Sequence, residues 1–245
     1  MSPFRLIVLF SCLPLFAYCQ FNDSTNYFAN LSSTGIINKT NDRDAYVLTN
    51  SFRFSIYKKS VSLNSGTTFI FGKQNDALSN QDFTSALDFN VYNKSERFYY
   101  WGLASFEKNF SLKLDRRLQS GAGVGYNFIN NKNAVVILSD GILYESSELK
   151  SIGPELPDNE YGTIRNSLRL KFRLIIRDKF TIDGSDFLQH SLSDTHDYIV
   201  KSSTNLSYKI LQWLSFTTSV NYNKLSRTGR ENLLINFGFT LERYF

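Results

Sequence analysis

From about residue 27 to the end of the chain, apolar residues recur at every second position, and the positions between them are mostly Ser, Thr, Asn, Gly or charged. That period belongs to half-buried strands; a helix would repeat at three and four. The runs Tyr46, Leu48, Phe52, Phe54, Ile56 and Leu233, Ile235, Phe237, Phe239, Leu241 carry it clearly. Twelve segments keep the pattern: 27–38, 45–57, 61–73, 82–93, 97–108, 116–130, 133–145, 161–176, 180–189, 197–210, 214–225 and 232–245. Most are longer than an ordinary strand of about five or six residues. They match or exceed the roughly nine to eleven that a tilted, bilayer-spanning strand needs. The expected fold is all-β: one closed antiparallel transmembrane barrel of about twelve strands, of the outer-membrane type.

The connections are expected to alternate in length. Lys39–Asp44, Gln74–Gln81, Asn109–Asp115, Ser146–Glu160, His190–His196 and Ser226–Glu231 read as long. Lys58–Ser60, Lys94–Glu96, Asn131–Lys132, Arg177–Lys179 and Leu211–Trp213 read as short. An even strand number, with short turns at one rim and longer loops at the other, is the rule of up-and-down outer-membrane barrels. In such a barrel apolar residues face lipid and polar residues face the lumen. Closure follows because an unpaired backbone group in hydrocarbon costs several kcal/mol. Aromatic residues beside the short turns, namely Tyr57, Phe98 to Trp101, Phe128, Phe180, Trp213 and Tyr244-Phe245, are expected to form a girdle at one interface. Gly102, Ala104, Ser120, Ala122, Ser139 and Gly141 read as a weak lipid face on the central strands. Phe245 is the expected C-terminal insertion signal, with Arg243 able to snorkel toward headgroups.

Composition sharpens the compartment. Residues 1–19 read as a signal peptide, with Arg5 in the n-region and Leu6 to Phe16 as the apolar stretch, leaving 20–245 as a single barrel domain. Both cysteines, Cys12 and Cys19, fall in that leader. The remainder therefore holds no disulfide framework, Cys-ligated zinc or thiol nucleophile. The formal net charge of +5 is mild and scattered, which argues against nucleic acid as a partner. No stretch reaches the roughly 18 apolar residues of a membrane-spanning helix. The expected location is the bacterial outer membrane, with outer-membrane lipid and the barrel-insertion machinery as partners, small solutes as a further candidate, and no cofactor.

The segment 82–130 resembles a bacterial family of salt-induced outer-membrane proteins, a domain family of unknown function. The matching residues are Arg97-Phe98, Gly102-Leu103, Glu107, then Leu114-Asp115, Arg117-Leu118 and Gly121, Gly123, Gly125, Tyr126. The resemblance implies an outer-membrane barrel and transfers no catalytic residue. The alternating glycines have their own physical reading: three inward positions without side chains leave room for bulky neighbours in a narrow lumen.

Candidate chemistry lies on strand 161–176, where Arg165, Arg169, Lys171 and Arg173 share one face opposite Leu168, Leu170, Phe172 and Leu174. A lipid-facing cation costs roughly 2–4 kcal/mol at the midplane, so all four are expected to point inward. Asp88, Glu107 and Asp183, together with Asp140, are the candidate counter-charges, and Arg53, Arg117, Lys201 and Lys209 further inward cations. Two readings stay open: a salt-bridged plug that locks the barrel, or a basic constriction selecting anions. His190 and His196 share a predicted loop with Asp194 and Asp197, the residue types of a metal site. With Ser191 and Ser193 they would also suit a hydrolase, although no motif orients a base there. The expected role is non-enzymatic: envelope integrity or passive small-solute passage. The alternatives are a surface-binding scaffold acting through loop 146–160, which holds Pro154 and Pro157, and a lipid hydrolase.

Overall fold

The computed structural model describes residues 26–39, 44–93, 97–150 and 159–244. They form twelve strands: β1 (Tyr27–Lys39), β2 (Asp44–Lys58), β3 (Val61–Gln74), β4 (Ala77–Tyr92), β5 (Phe98–Asn109), β6 (Leu114–Asn130), β7 (Ala134–Leu149), β8 (Glu160–Ile176), β9 (Phe180–Ser191), β10 (Tyr198–Lys209), β11 (Leu214–Leu225) and β12 (Arg230–Tyr244). Each pairs antiparallel with its sequence neighbours, and β1 pairs with β12 from Phe28↔Tyr244 to Gly35↔Phe237, closing the barrel. The expected closed antiparallel barrel of twelve strands is what the chain forms.

Side-chain direction follows the period of two. On β12, Leu233, Ile235, Phe237, Phe239 and Leu241 are exposed on the outer surface, while Asn236 and Thr240 are buried inside. On β8, Ile164, Leu168, Leu170 and Leu174 face out, and Thr163, Arg165, Ser167 and Arg169 face in and are buried. An exposed apolar wall around a polar, partly packed interior inverts the soluble pattern and suits a hydrocarbon solvent.

The contrast in connection lengths is smaller than the sequence suggests. At Gln74–Gln81 the strands continue to a two-residue turn, where Asn75 (φ 50°) and Asp76 (φ 59°) take the left-handed conformations of a tight hairpin. Residues Asn109–Asp115 shrink to a link of 110–113, and Ser226–Glu231 to 226–229, mostly a 3-10 turn over Ser226–Thr228. β7 runs on to Leu149, so the 146–160 loop begins at 150; Pro154 and Pro157 lie outside the described residues. Backbone pairing does not require apolar side chains, so polar strand ends extend past the lipid band as ladder rather than loop. We call the rim carrying the 59–60, 93–97, 131–133, 177–179 and 210–213 links, and both ends of the described chain, the terminal rim. The opposite one is the loop rim.

Part of the expected girdle forms near the terminal rim. Phe98, Tyr100, Phe128 and Phe180 are exposed outside, whereas Trp213 stands at the mouth of the lumen beside Ser207, Ser215 and Glu242. Tyr126 packs between Phe98 (4.8 Å, tilted) and Phe128 (4.9 Å, edge to face), and Phe180 meets Tyr208 at 5.0 Å. Tyr99 and Trp101 do not join it: at 3% and 4% exposure they are buried in the lumen. The reason is parity, because four consecutive strand residues cannot share one face. Tyr57 also shares its parity with the buried Ser55 and meets Tyr92 at 6.0 Å. Phe245 and residues 1–19 lie outside the described residues.

Candidate functional site

The lumen holds the charged stripe, and β8 delivers it. Arg165 is fully buried; its Nε donates to Glu145 Oε2 at 2.8 Å and its Nη2 to Asp197 Oδ1 at 2.9 Å. Asp197 also accepts from Arg227 Nε at 2.6 Å. Arg117, on β6, reaches Glu107 Oε2 at 3.3 Å and Glu145 Oε1 at 3.4 Å, and Lys201 pairs with Glu107 from β10. Glu145 further accepts Gln119 Nε2 (2.7 Å), Ser147 Oγ (2.9 Å) and Tyr161 OH (2.8 Å). Side chains from β5, β6, β7, β8, β10 and the rim are tied into one network across the barrel. Charges this deep persist only when paired and hydrogen-bonded.

An apolar layer lies against this network at the loop rim. Leu112, Leu114, Leu149, Ile199 and Leu225 are buried against one another, and Tyr161 packs beside them under the Arg227 guanidinium, 4.0 Å from the ring centroid. Together, the layer and the ion network form a plug.

Deeper in, Arg169 Nη1 donates to Asp88 Oδ2 at 2.6 Å and Nε to Ser139 Oγ at 3.1 Å. Its guanidinium lies over the rings of Trp101 (5.2 Å) and Phe187 (5.8 Å), a cation–π arrangement. Lys171 Nζ reaches Asp88 at 3.6 Å. The glycines make room for this layer. A methyl on Gly123 would stand 2.6 Å from Trp101 Cζ2, and one on Gly125 would overlap the Tyr99 ring. Gly121 faces Leu143, and Gly141 also faces Trp101.

The stripe residues all point inward, and Asp88 serves Arg169 and Lys171 as a counter-charge. Glu107 pairs instead with Arg117 and Lys201. Asp183 lies in register opposite Arg173 and accepts from Asn205 Nδ2 at 3.2 Å. Asp115 sits where the β6 register shifts, and Tyr126 belongs to the outer aromatic cluster. Asp140 is corrected: it faces outward beside Val124, where Asn166 Nδ2 donates to it at 2.9 Å. Ser139 and Gly141 are corrected in the other sense, since both face the lumen. Glu145 and Asp197, the two acids at the centre of the plug, are absent from the expected counter-charges; Asp197 is grouped with the histidines there, as a metal-site residue type instead. Glu145 shares the inward parity of Leu143 and Ser139, a face that the apolar Leu143 disguised as lipid-facing, whereas Asp197 stands on the parity of Lys201 in segment 197–210, a signal that could have found it.

The histidines are dispersed. His190 lies on β9 against the Tyr198 ring (5.9 Å), and His196 is 98% exposed with Asp194 at 3.6 Å. Thr163, Ser191 and Ser193 form a hydroxyl cluster at 2.7–3.3 Å to which neither histidine is hydrogen-bonded. A nucleophile–base pair of hydrolytic geometry is therefore missing from these residues. Among the described residues no group of three or more His, Cys, Asp or Glu side chains is placed to hold a metal.

With this geometry in place, comparison with known proteins adds the family. Residues 23–242 match the family described as "Protein of unknown function, DUF481". The chain belongs to that family. No curated protein matches it. Among solved structures, the NanC porin is similar at 11% identity and a TM-score of 0.49, over 87% of this chain and 97% of that one. The translocator domain of the autotransporter NalP from Neisseria meningitidis gives 13% and 0.48, over 89% of each chain. An outer membrane channel from Pseudomonas putida F1 gives 9% and 0.48, over 95% of this chain and all (100%) of that one. At these values the likeness is one of barrel shape.

Proposed function

We propose that this member of the DUF481 family is a bacterial outer-membrane protein that serves envelope integrity as a closed wall element, without catalysis and without a cofactor. Its apolar exterior suits outer-membrane lipid, and its terminal strands suit delivery by the barrel-insertion machinery. A role under osmotic stress, implied by the resemblance to salt-induced proteins, belongs to the same reading. The observation that carries it is the plug: Arg165, Glu145 and Asp197, all at 0–1% exposure, continue through Arg117, Glu107 and Lys201 into a network that ties β5 to β10 across the lumen against an apolar layer. Refolded protein in planar bilayers should give no stepwise conductance, and steady conductance from the unaltered chain would overturn the closed-wall reading.

A second reading, passage of small solutes once the plug is displaced, is favoured by the polar cavity of ≈ 230 Å³ at the terminal rim. Asp197→Ala takes the carboxylate from both Arg165 and Arg227 and should then produce conductance steps. A silent, correctly folded variant would sink this second reading.

A further inference from the structure

The mild positive charge is scattered along the sequence, and the fold gathers it. The terminal rim brings together Lys58, Lys59, Arg97, Lys132, Arg177 and Lys179 from its links, and Arg243 joins them near the end of β12. All seven are exposed, and Asp178 is the one exposed carboxylate among the described residues of these links. In the sequence Lys94 and Glu96 of the same rim cancel. Seven cations against one carboxylate exceed the formal +5 of the entire chain. Lys58, Lys59, Arg97, Arg177, Lys179 and Arg243 stand beyond ion-pair distance of every carboxylate among the described residues. The opposite rim is built differently. Arg116 bridges Glu148 (2.8 Å) and Glu160 (2.9 Å), Arg227 holds Asp197 at 2.6 Å, and Lys224 stands 3.9 Å from Glu231. The mouth of the lumen inside the terminal rim is balanced too, with Arg173 and Lys209 beside Asp178 and Glu242. The excess therefore lies on the turns and not in the cavity.

Two further observations bear on what this ring meets. Lys59 (φ 52°) and Arg177 (φ 51°) take left-handed conformations, which Asn, Asp and Gly adopt more readily than a long side chain does. The hairpin of the loop rim fills the same conformation with Asn75 and Asp76, and its left-handed Lys113 lies over the Phe110 ring at 5.3 Å. Turn formation alone does not explain a lysine and an arginine at the tips of the terminal rim. The second observation is depth. Arg97 and Lys179 directly precede Phe98 and Phe180, whose rings are exposed in the outer girdle. Girdle rings sit between hydrocarbon and headgroups, so cations one residue further out, about 3 Å along the chain, stand level with lipid phosphates.

We propose that the terminal rim is an anchoring ring that binds the phosphates of anionic glycerophospholipids in the leaflet it meets. Guanidinium forks grip two phosphate oxygens, and the ammonium groups act as point charges. Clustered basic residues beside a membrane surface attract anionic lipid, and salt screens the attraction. The ring rests on the barrel lying in a bilayer; it does not depend on the plug or on the closed-wall reading.

Lipid selectivity tests it. The protein is refolded into phosphatidylcholine vesicles, with insertion checked by the shift in gel mobility on heating. Spin-labelled phosphatidylglycerol is then compared with spin-labelled phosphatidylcholine, and the motionally restricted fraction of each label gives the ratio of their association constants. Phosphatidylglycerol should be preferred about two- to fivefold at low salt; one surface cation supplies the upper figure, and shell lipids away from the rim dilute it. The preference should fall toward one in molar salt, where the screening length is about 3 Å. Lys59→Gln with Arg177→Gln and Lys179→Gln should remove at least half of it. Lys108→Gln with Lys224→Gln and Arg230→Gln, toward the loop rim, should leave it in place. If the first variant does not insert, Arg97→Gln with Arg243→Gln takes its place. A ratio near one at low salt, a ratio that the rim variant keeps, an equal loss from the loop-rim variant, or displacement of the lipid by inorganic phosphate at matched ionic strength would overturn the proposal. Failure of the unaltered protein to insert into any vesicle, which the mobility shift tells apart, would overturn the bilayer reading and the ring with it.

Discussion

Replacing Glu145 with alanine removes the acceptor at the centre of the plug. Its carboxylate is completely buried and takes Arg165 Nε at 2.8 Å, Gln119 at 2.7 Å, Ser147 at 2.9 Å, Tyr161 at 2.8 Å and Arg117 at 3.4 Å. In the variant Arg165 keeps Asp197 and Arg117 keeps Glu107, so neither guanidinium is left wholly alone. The two cations still lose the anion between them inside a dry layer. Breaking a buried pair from one side costs about 3–5 kcal/mol. Glu145→Gln keeps the shape and some hydrogen bonds while removing the charge, and should cost less, about 1–3 kcal/mol. Urea titration of the protein folded into lipid vesicles, followed by tryptophan fluorescence and by the shift in gel mobility on heating, measures both. A loss below about 1 kcal/mol for Glu145→Ala, the level of an exposed pair, would refute the reasoning that the network is dry and fully engaged.

Two further outcomes are expected by the same assays. Gly123→Ala drives a methyl to 2.2 Å from the Asp140 carbonyl oxygen and 2.6 Å from Trp101 Cζ2 and should cost about 1–3 kcal/mol, whereas Gly66→Ala, where a methyl meets nothing within 4 Å, should be neutral or stabilise by up to about 1 kcal/mol; equal effects would deny that the lumen is packed around Gly123 and open around Gly66. Ile235→Arg places a cation on the lipid face in mid-strand and should cost about 2–4 kcal/mol, and a tolerated arginine would contradict a hydrocarbon environment there.

The strands were legible because one physical rule, a solvent that differs between the two faces, writes a period of two over the whole chain. The β8 stripe was legible for the same reason: Leu168 and Leu170 fix the outer face, so Arg169 and Lys171 must turn in. The rule loses force where the lumen is itself apolar. Leu114, Leu149, Ile199 and Leu225 stand on inward parity at the loop rim, and no lipid contact explains them. Asp140 shows the converse failure, since a carboxylate whose neighbour Asn166 caps it can stand outside. Loop lengths misled because the polar tips of β3 and β4 carry no periodic apolar residue, although their backbones pair to the last turn. Asp197 was hidden by distance in sequence: it meets Arg165 from 32 residues away because β8 pairs with β9, where Arg165 lies opposite Ser191, whose N–H donates to the Asp197 carbonyl.

The assignment of faces is open to one direct measurement. Residues 20–245 contain no cysteine, so single nitroxide labels can be placed at Leu170 and at Arg53 in the refolded, membrane-inserted protein. The label at Leu170 should relax with dissolved oxygen and ignore a water-soluble nickel chelate, and the label at Arg53 should respond to the chelate. Chelate access at Leu170 together with oxygen access at Arg53 would contradict the barrel as described.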